Sequence, residues 1–346
     1  MDLATPGALW RRLVAIAAVA ALSLAVGACG DDDDGGGSGG SGGGNSQETV
    51  QIAYLSFAVA NSYDAPMLAA AKAVASENNA EITVFDANND PKKQFAQLQN
   101  AASSGDFDVI ITQPIFGAGL VTGVEDAINQ GVKVVNMDQI LGEDLSTSEP
   151  QVKGLSANVT FVPTEIGRKL GELVVDACAS KQLDPCQAGY LFDVKASALD
   201  VAIRKAFDEA VQGSPVDIVA EGESFFQPSV ALKAVQNMLE AESDLDLIVG
   251  SDQGIEGAVQ ALPKKSKMLL VGFGGSAAAT AGVQSGQWFG DVAQLPATEG
   301  RLAAEAAIAA VRQDKNSGGQ DPVAELPNEG VITKDNAAQF DPEWPG

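Results

Sequence analysis

A polar turn at Asn61-Ser62-Tyr63-Asp64 gathers an amide, a hydroxyl, a phenol and a carboxylate between an apolar run and a helix-patterned segment. Such a cluster can donate and accept several hydrogen bonds and offer an aromatic face. A second cluster, Asp138-Gln139, ends the apolar run Val132 to Met137. The chain contains no His, which excludes Ser-His and Cys-His nucleophilic catalysis and His-based metal sites. Asp86, Asn88 and Asp90 lack a bidentate Glu at the calcium-loop distance and read as an Asx turn. Gly117-Ala118-Gly119 with Gly123 misses the dinucleotide spacing, and no Lys-Ser/Thr follows Gly272-Phe273-Gly274-Gly275. Paired carboxylates could serve a glycosidase, but no two Asp or Glu residues sit in a supporting constellation. What remains is binding chemistry, with no metal and no cofactor expected.

The elements that position these groups follow from periodicity. Val50, Ile52, Tyr54 and Leu55 form a near-continuous apolar run, the pattern of a strand buried on both faces of a parallel sheet. Met67, Ala71, Val74 and Ala75 then share one helix face; Asp64 suits the N-cap and Pro66 the first turn. The unit recurs, with strands expected at Ile82–Phe85, Val109–Ile111 and Val132–Met137 and an extended stretch at Val152–Ala157. After a helix over Glu165–Cys178, a second series brings strands near 190–192, 216–220, 247–250, 268–273 and 288–293. Two such series predict an α/β protein with two doubly wound parallel sheets and right-handed crossovers. In such sheets the turns after the strands are where ligands bind.

With 346 residues and 45% hydrophobic content, the chain is long enough for two domains. Its first 28 residues read instead as an export signal: Arg11-Arg12, an apolar Leu13 to Val26, then Gly27-Ala28. From Gly30 to Gln47 no apolar side chain occurs, so residues 29–47 read as an acidic Gly/Ser tether. A formal net charge of −25 leaves no basic patch for nucleic acid. Cys178 and Cys186, close in an exported chain, read as a local disulfide contributing roughly 2–3 kcal/mol in the chain-entropy model.

Val26-Gly27-Ala28-Cys29 resembles the lipobox of bacterial lipoproteins, which implies cleavage before Cys29 and a diacylglycerol on its sulfur. From Val50 to Thr333 the chain resembles the type I periplasmic binding proteins, specifically the ribose-binding-like receptors of sugar ABC transporters. The residues carrying this likeness are Asn61-Ser62, Val134-Val135-Asn136-Met137-Asp138, Gln236-Asn237-Met238-Leu239, Ser251-Asp252-Gln253, Val271-Gly272-Phe273-Gly274-Gly275 and Ala293-Gln294-Leu295-Pro296. The resemblance implies two lobes joined by three hinge crossings, near Leu155-Ser156, Gln294-Leu295 and Ala324. The first lobe would span 48–155 plus 295–323, and the second 156–294 plus 324–346.

The resemblance further implies that Ser62, Tyr63, Asp64, Asp138 and Gln139 face Asp200, Phe226, Ser251, Gly274 and Gln294 across a cleft. A carboxylate there accepts two ligand hydroxyls, an amide donates and accepts, and an aromatic covers the apolar face of a sugar ring. Plainer readings stand beside these: Asp64 and Asp200 as N-caps, Asp138 as a turn cap, and Phe225 rather than Phe226 toward the cleft. The chain departs from the family at Gln139, where an Arg is usual, at Gly274, where an Asp is usual, and at Tyr63-Asp64-Ala65, where ribose-type members carry two aromatics. The implied function is a membrane-anchored monomeric receptor that passes a monosaccharide or sugar alcohol to an ABC permease. The alternatives are a receptor for another small polar solute reporting to a membrane sensor, and a carbohydrate-active enzyme.

Overall fold

Near-continuous apolar runs build two parallel sheets, each sandwiched between helices. The computed structural model describes residues 48–346; the stretches read as an export signal and a tether, and Cys29 between them, lie outside those residues. The first series comprises β1 (Val50–Ser56), α1 (Asp64–Glu77), β2 (Ala80–Asp86), α2 (Pro91–Ser104), β3 (Val109–Thr112), α3 (Gly117–Asn129), β4 (Lys133–Asp138) and β5 (Ala157–Thr160). The second comprises α4 (Pro163–Ser180), β6 (Cys186–Phe192), α5 (Ala198–Val211), β7 (Val216–Glu223), α6 (Pro228–Ala241), β8 (Leu247–Ser251), α7 (Asp252–Ala261), β9 (Leu269–Gly274), α8 (Ala277–Ser285) and β10 (Gly290–Ala293). Then follow α9 (Pro296–Gln313), β11 (Gly318–Gln320) and β12 (Val331–Thr333).

One sheet has the order β11-β5-β4-β3-β1-β2 and the other β12-β10-β9-β8-β6-β7. Pairing is parallel throughout, except that β12 runs antiparallel to β10. In each sheet the strand order reverses once, between β1 and β3 and between β6 and β8. These are the switch points outside whose carboxyl ends α/β folds leave a crevice. Each sheet carries a core on both faces, as its unbroken apolar strands require: Tyr54 and Val135 on one side and Leu55 and Val134 on the other in the first, Tyr190 and Leu191 likewise in the second.

Local chemistry sets the helix starts. Proline opens α2, α4, α6 and α9, where its missing N–H costs nothing. Ser197, Ser251 and Ser276 cap α5, α7 and α8, each hydroxyl accepting a first-turn amide. Close packing needs glycine at two places: a Cβ at Gly167 would stand 2.1 Å from the Ile203 carbonyl oxygen, and one at Gly300 would stand 2.0 Å from that of Met67. Cys178 and Cys186 are bonded, tying the end of α4 to the start of β6. Among the described residues no helix is long and apolar enough to cross a membrane.

The first crossing differs from the expectation. Val152–Ala157 does not form the strand; β5 begins at Ala157 and pairs with β4 in the first sheet. The chain therefore leaves that sheet after Thr160, not near Leu155-Ser156, and Phe161 to Pro163 become the link. The β10–α9 link at Gln294-Leu295 leads back to the first sheet, where α9 packs on β3, β4 and β5. The return runs between Gln320 and Val331, the stretch that contains Ala324.

A short tail completes the molecule. Glu343 accepts from the Thr298 amide (2.8 Å) and hydroxyl at the start of α9. Trp344 donates its indole N–H to the Gly274 carbonyl (2.7 Å), and the Trp344 and Pro345 carbonyls accept from Ala277 and Ala278 at the start of α8. The tail thus grips α9 on the first sheet and α8 on the second.

Candidate functional site

The carboxyl ends of both sheets converge on one cavity. Its interior volume is about 80 Å³, several times the roughly 10–15 Å³ that a single buried water needs. From the first lobe come Phe57, Asn61, Tyr63, Asp64, Asp138 and Gln139; from the first crossing and α4, Phe161, Pro163 and Ile166. The second lobe supplies Leu199, Phe226, Ser251, Gln253 and Phe273, the β10–α9 link supplies Gln294, and the tail supplies Trp344. Six of these sixteen side chains are aromatic in a chain that is 5% aromatic, so ring faces dominate the walls.

One buried amide organises the polar floor. Gln113, fully buried at the end of β3, donates its Nε2 to Asp64 Oδ1 (2.6 Å) and to Asp138 Oδ2 (3.2 Å). Its own position is fixed: Oε1 accepts from the Phe57 amide at 3.1 Å and its carbonyl accepts from Gln94 Nε2 at 2.7 Å. Asp64 is 5% exposed, and its Oδ2 has no hydrogen-bond partner. Burial, and after it the charge of Asp138, pushes Asp64 up to about 8, against the opposing pull of Gln113 and the Ala58 amide. Asp138 keeps part of its surface open to the cavity, yet the surrounding protein removes it from bulk water and raises it to about 6.

Asp138 sits in a left-handed backbone conformation (φ 67°), costly for a non-glycine residue and typical of functional sites. The Gln139 amide donates back to the Met137 carbonyl, and Asn136 Nδ2 donates to the Gln139 carbonyl (2.7 Å). From α9, Glu299 accepts the Asp138 amide at 2.7 Å while fully buried itself. Burial and then the charge of Asp138 drive the Glu299 carboxyl well above its usual range.

On the opposite wall, Ser251 Oγ donates to Asp193 Oδ1 (2.7 Å), which also accepts from Ser224. Burial and the neighbouring Asp200 raise Asp193 to about 7. Phe225 and Phe226 both adopt left-handed backbone conformations (φ 53° and 54°); Phe225 points to solvent and Phe226 into the cavity.

Of the residues expected at the site, Tyr63, Asp64, Asp138, Gln139, Phe226, Ser251 and Gln294 line the cavity; Ser62, Asp200 and Gly274 do not. Ser62 is a latch between lobes, its Oγ accepting from Gln253 Nε2 at 3.2 Å. Asp200 braces the β6–α5 loop, accepting from the Asp193 and Val194 amides (2.8 and 3.1 Å) and the Ser197 hydroxyl (2.8 Å). It is not the N-cap; Ser197 is. Asp64 is no cap either, because it is the first residue of α1 and its carboxylate turns to Gln113. Gly274 offers its carbonyl to Trp344, and a Cβ there would lie 2.8 Å from the Trp344 ring and 2.7 Å from the Asp252 carboxyl.

Trp344 is the largest omission from the sequence reading. It is 5% exposed and meets Tyr63 edge to face, ring centroids 5.3 Å apart. Asn61, part of the polar turn singled out in the sequence, also lines the cavity, whereas Phe57, Phe161, Pro163, Ile166, Leu199, Gln253 and Phe273 were not anticipated. Ser197-Ala198-Leu199-Asp200 carried one usable signal, since a Ser three residues before an acid is a capping pattern that removes Asp200 from the ligand set.

The periplasmic binding protein domain family matches this chain over residues 52–315, and the chain belongs to that family of extracytoplasmic binding proteins. It is 24% identical over 242 residues to the ribose import binding protein of Bacillus subtilis, covering 67% of this chain and 72% of that one. Against the D-xylose-binding periplasmic protein of Escherichia coli it is 26% identical over 215 residues, covering 59% and 60%. Among solved structures, an ABC transporter solute binding protein from Mycobacterium smegmatis with bound glycerol superposes with a TM-score of 0.72 at 23% identity, over 86% of this chain and 99% of that one. One from Bacillus halodurans with bound myo-inositol gives 0.72 at 19% identity, over 86% and 98%.

Proposed function

We propose that this chain is the extracytoplasmic receptor of an ABC importer, that it encloses a small polyhydroxylated solute between its lobes, and that a diacylglycerol on Cys29 anchors it beside its permease. The observation that carries this reading is the cavity itself. It lies at the switch points of both sheets, takes walls from both lobes, and combines hydrogen-bonding groups with ring faces. Asp138, Asp64, Gln139 and Gln294 would take ligand hydroxyls, and Phe226 or Trp344 the apolar face of a ring.

Hinge motion at the three crossings would open the cleft, and ligand contacts made to both walls at once would favour the closed form. Closure brings Gln253 to Ser62 and keeps Tyr63 packed against both cores. One chain supplies every wall, so binding needs no second copy. The relatives known as ribose and xylose receptors, and the similar folds holding glycerol and myo-inositol, support a ligand of this size and polarity.

Mass spectrometry of ligand released from the purified protein, backed by a thermal-shift panel of sugars and polyols, tests the reading. A binding member raises the melting temperature by mass action. A released ligand without hydroxyl groups, together with no shift across the panel, would refute it. For the anchor, Cys29→Ala should yield protein without lipid that leaves the detergent phase.

A further inference from the structure

The cleft has an unbalanced charge. Two carboxyl groups, Asp64 and Asp138, line it, and none of its lining side chains is Lys or Arg. Asp64 Oδ1 and Asp138 Oδ2 are hydrogen-bonded to one nitrogen, Gln113 Nε2, at 2.6 and 3.2 Å, so they lie at most 5.8 Å apart. Gln113 is neutral and cannot cancel their charge. Glu299 stands behind Asp138 and adds a third buried carboxyl. One buried oxygen of Asp64, Oδ2, and the buried hydroxyl of Tyr63 have no partner, and both residues line the cavity.

A buried carboxylate is tolerable when an opposite charge stands within about 4–6 Å. The protein supplies none in the cavity; in the ligand-free cleft a proton relieves Asp64, which is raised to about 8, and a cationic occupant can take that proton's place. The walls fit that occupant: Phe57, Tyr63, Phe226 and Trp344 present rings, and ring faces attract cations.

Resting on the receptor reading above, we infer that the ligand is a polyol bearing a protonated amine, an amino sugar or aminocyclitol, whose ammonium sits between Asp64 and Asp138. Its hydroxyl groups meet Gln139, Gln294 and Ser251, and its ring meets the aromatic wall. The groups facing the ammonium are acidic or phenolic: Asp64 on α1, Asp138 at the end of β4, Glu299 on α9, and Tyr54 and Tyr63 nearby. Burial raises both phenols well above their ordinary range, so both stay neutral donors.

The test is titration calorimetry on the full-length protein, using matched ligands. The sets are glucose, glucosamine and N-acetylglucosamine; galactose, galactosamine and N-acetylgalactosamine; and myo-inositol with an amino-inositol. In at least one set the amine should bind about tenfold or more tightly than its hydroxyl and acetylated counterparts. Asp64→Asn and Asp138→Asn should each reduce that preference while the melting curve stays cooperative. An amine that binds no better than its neutral counterparts in every set overturns the inference and leaves the polyol receptor standing. Failure of both amine and neutral members in every set overturns both. An amine preference unchanged in both variants also overturns the placement between Asp64 and Asp138.

Discussion

Two clusters of buried acids occupy equivalent ends of the two sheets, and they are built differently. In the second lobe, Asp252 and Asp291 are both fully buried beneath the β9–α8 turn. Asp252 accepts the Ser276 amide at 2.8 Å, and Asp291 accepts the Gly275 amide at 2.9 Å. One oxygen of each, Oδ1, is buried without a partner; burial, and after it the charge of Asp252, pushes Asp291 well up. Gly272 makes room for the pair, since a Cβ there would lie 2.8 Å from an oxygen of each. In the first lobe, Asp64 and Asp138 share one side-chain amide, that of Gln113, the Ala58 amide also favours the Asp64 carboxylate, and both acids line the cavity. A fully enclosed acid pair that takes the amides of one turn braces that turn, whereas acids that line a cavity are placed for a ligand.

The largest effect should come from breaking the brace. Asp252→Ala strands a buried amide and removes one half of an acid pair. Loss of about 3–5 kcal/mol in stability is expected by chemical denaturation. The same truncation at Asp138 should spare folding but weaken ligand binding by about 10- to 100-fold, the worth of a hydrogen bond to a charged group. If Asp138→Ala costs as much stability as Asp252→Ala, or keeps full affinity, the contrast between brace and binding group fails.

A dependence on pH comes next. Asp138 at about 6, Asp193 at about 7 and Asp64 at about 8 all hold protons in the folded state at pH values where the unfolded chain, near 3.9, has lost them. The native state binds more protons in that window, so ligand-free stability is greatest below about pH 4 for these groups and falls as pH rises toward 8. Melting temperature against pH should show this decline, and Asp64→Asn should flatten its upper part between about pH 6 and 8. A parent curve that rises through that range would contradict the assignment.

The smallest effect belongs to the latch. Ser62→Ala removes a neutral hydrogen bond to Gln253 and should weaken ligand binding about threefold. A loss as large as that from Asp138→Ala would make Ser62 a ligand contact after all.

Most of the architecture was legible because it rests on local, repeated patterns. The apolar run from Val50 and the prolines at Pro91, Pro163, Pro228 and Pro296 each encode their element within a few residues. The site was legible where a side chain follows directly from a strand end, as at Asp138, Gln139 and Ser251. It failed where long-range geometry decides. Asp64 and Asp200 have the same residue type at the same kind of helix start, yet one turns to Gln113 and the other to its own loop. Gln113 gives no local sign that it holds two acids. β5 was misplaced because Val152 and Leu155 pack in the core without pairing in the sheet, which hid Phe161 and Ile166.

Trp344 carries the last lesson. It reaches the cavity on a tail that is part of neither sheet, clipped on by Glu343, by its indole N–H and by the Trp344 and Pro345 carbonyls. Such a segment behaves as an exchangeable tooth in the jaw. Substitutions from 341 to 346 could reshape the cavity without disturbing a single strand, so ligand preference in this chain can drift faster than its fold. In the laboratory the same few residues are a hazard: a truncation after Phe340 would leave two intact lobes and a receptor missing one wall.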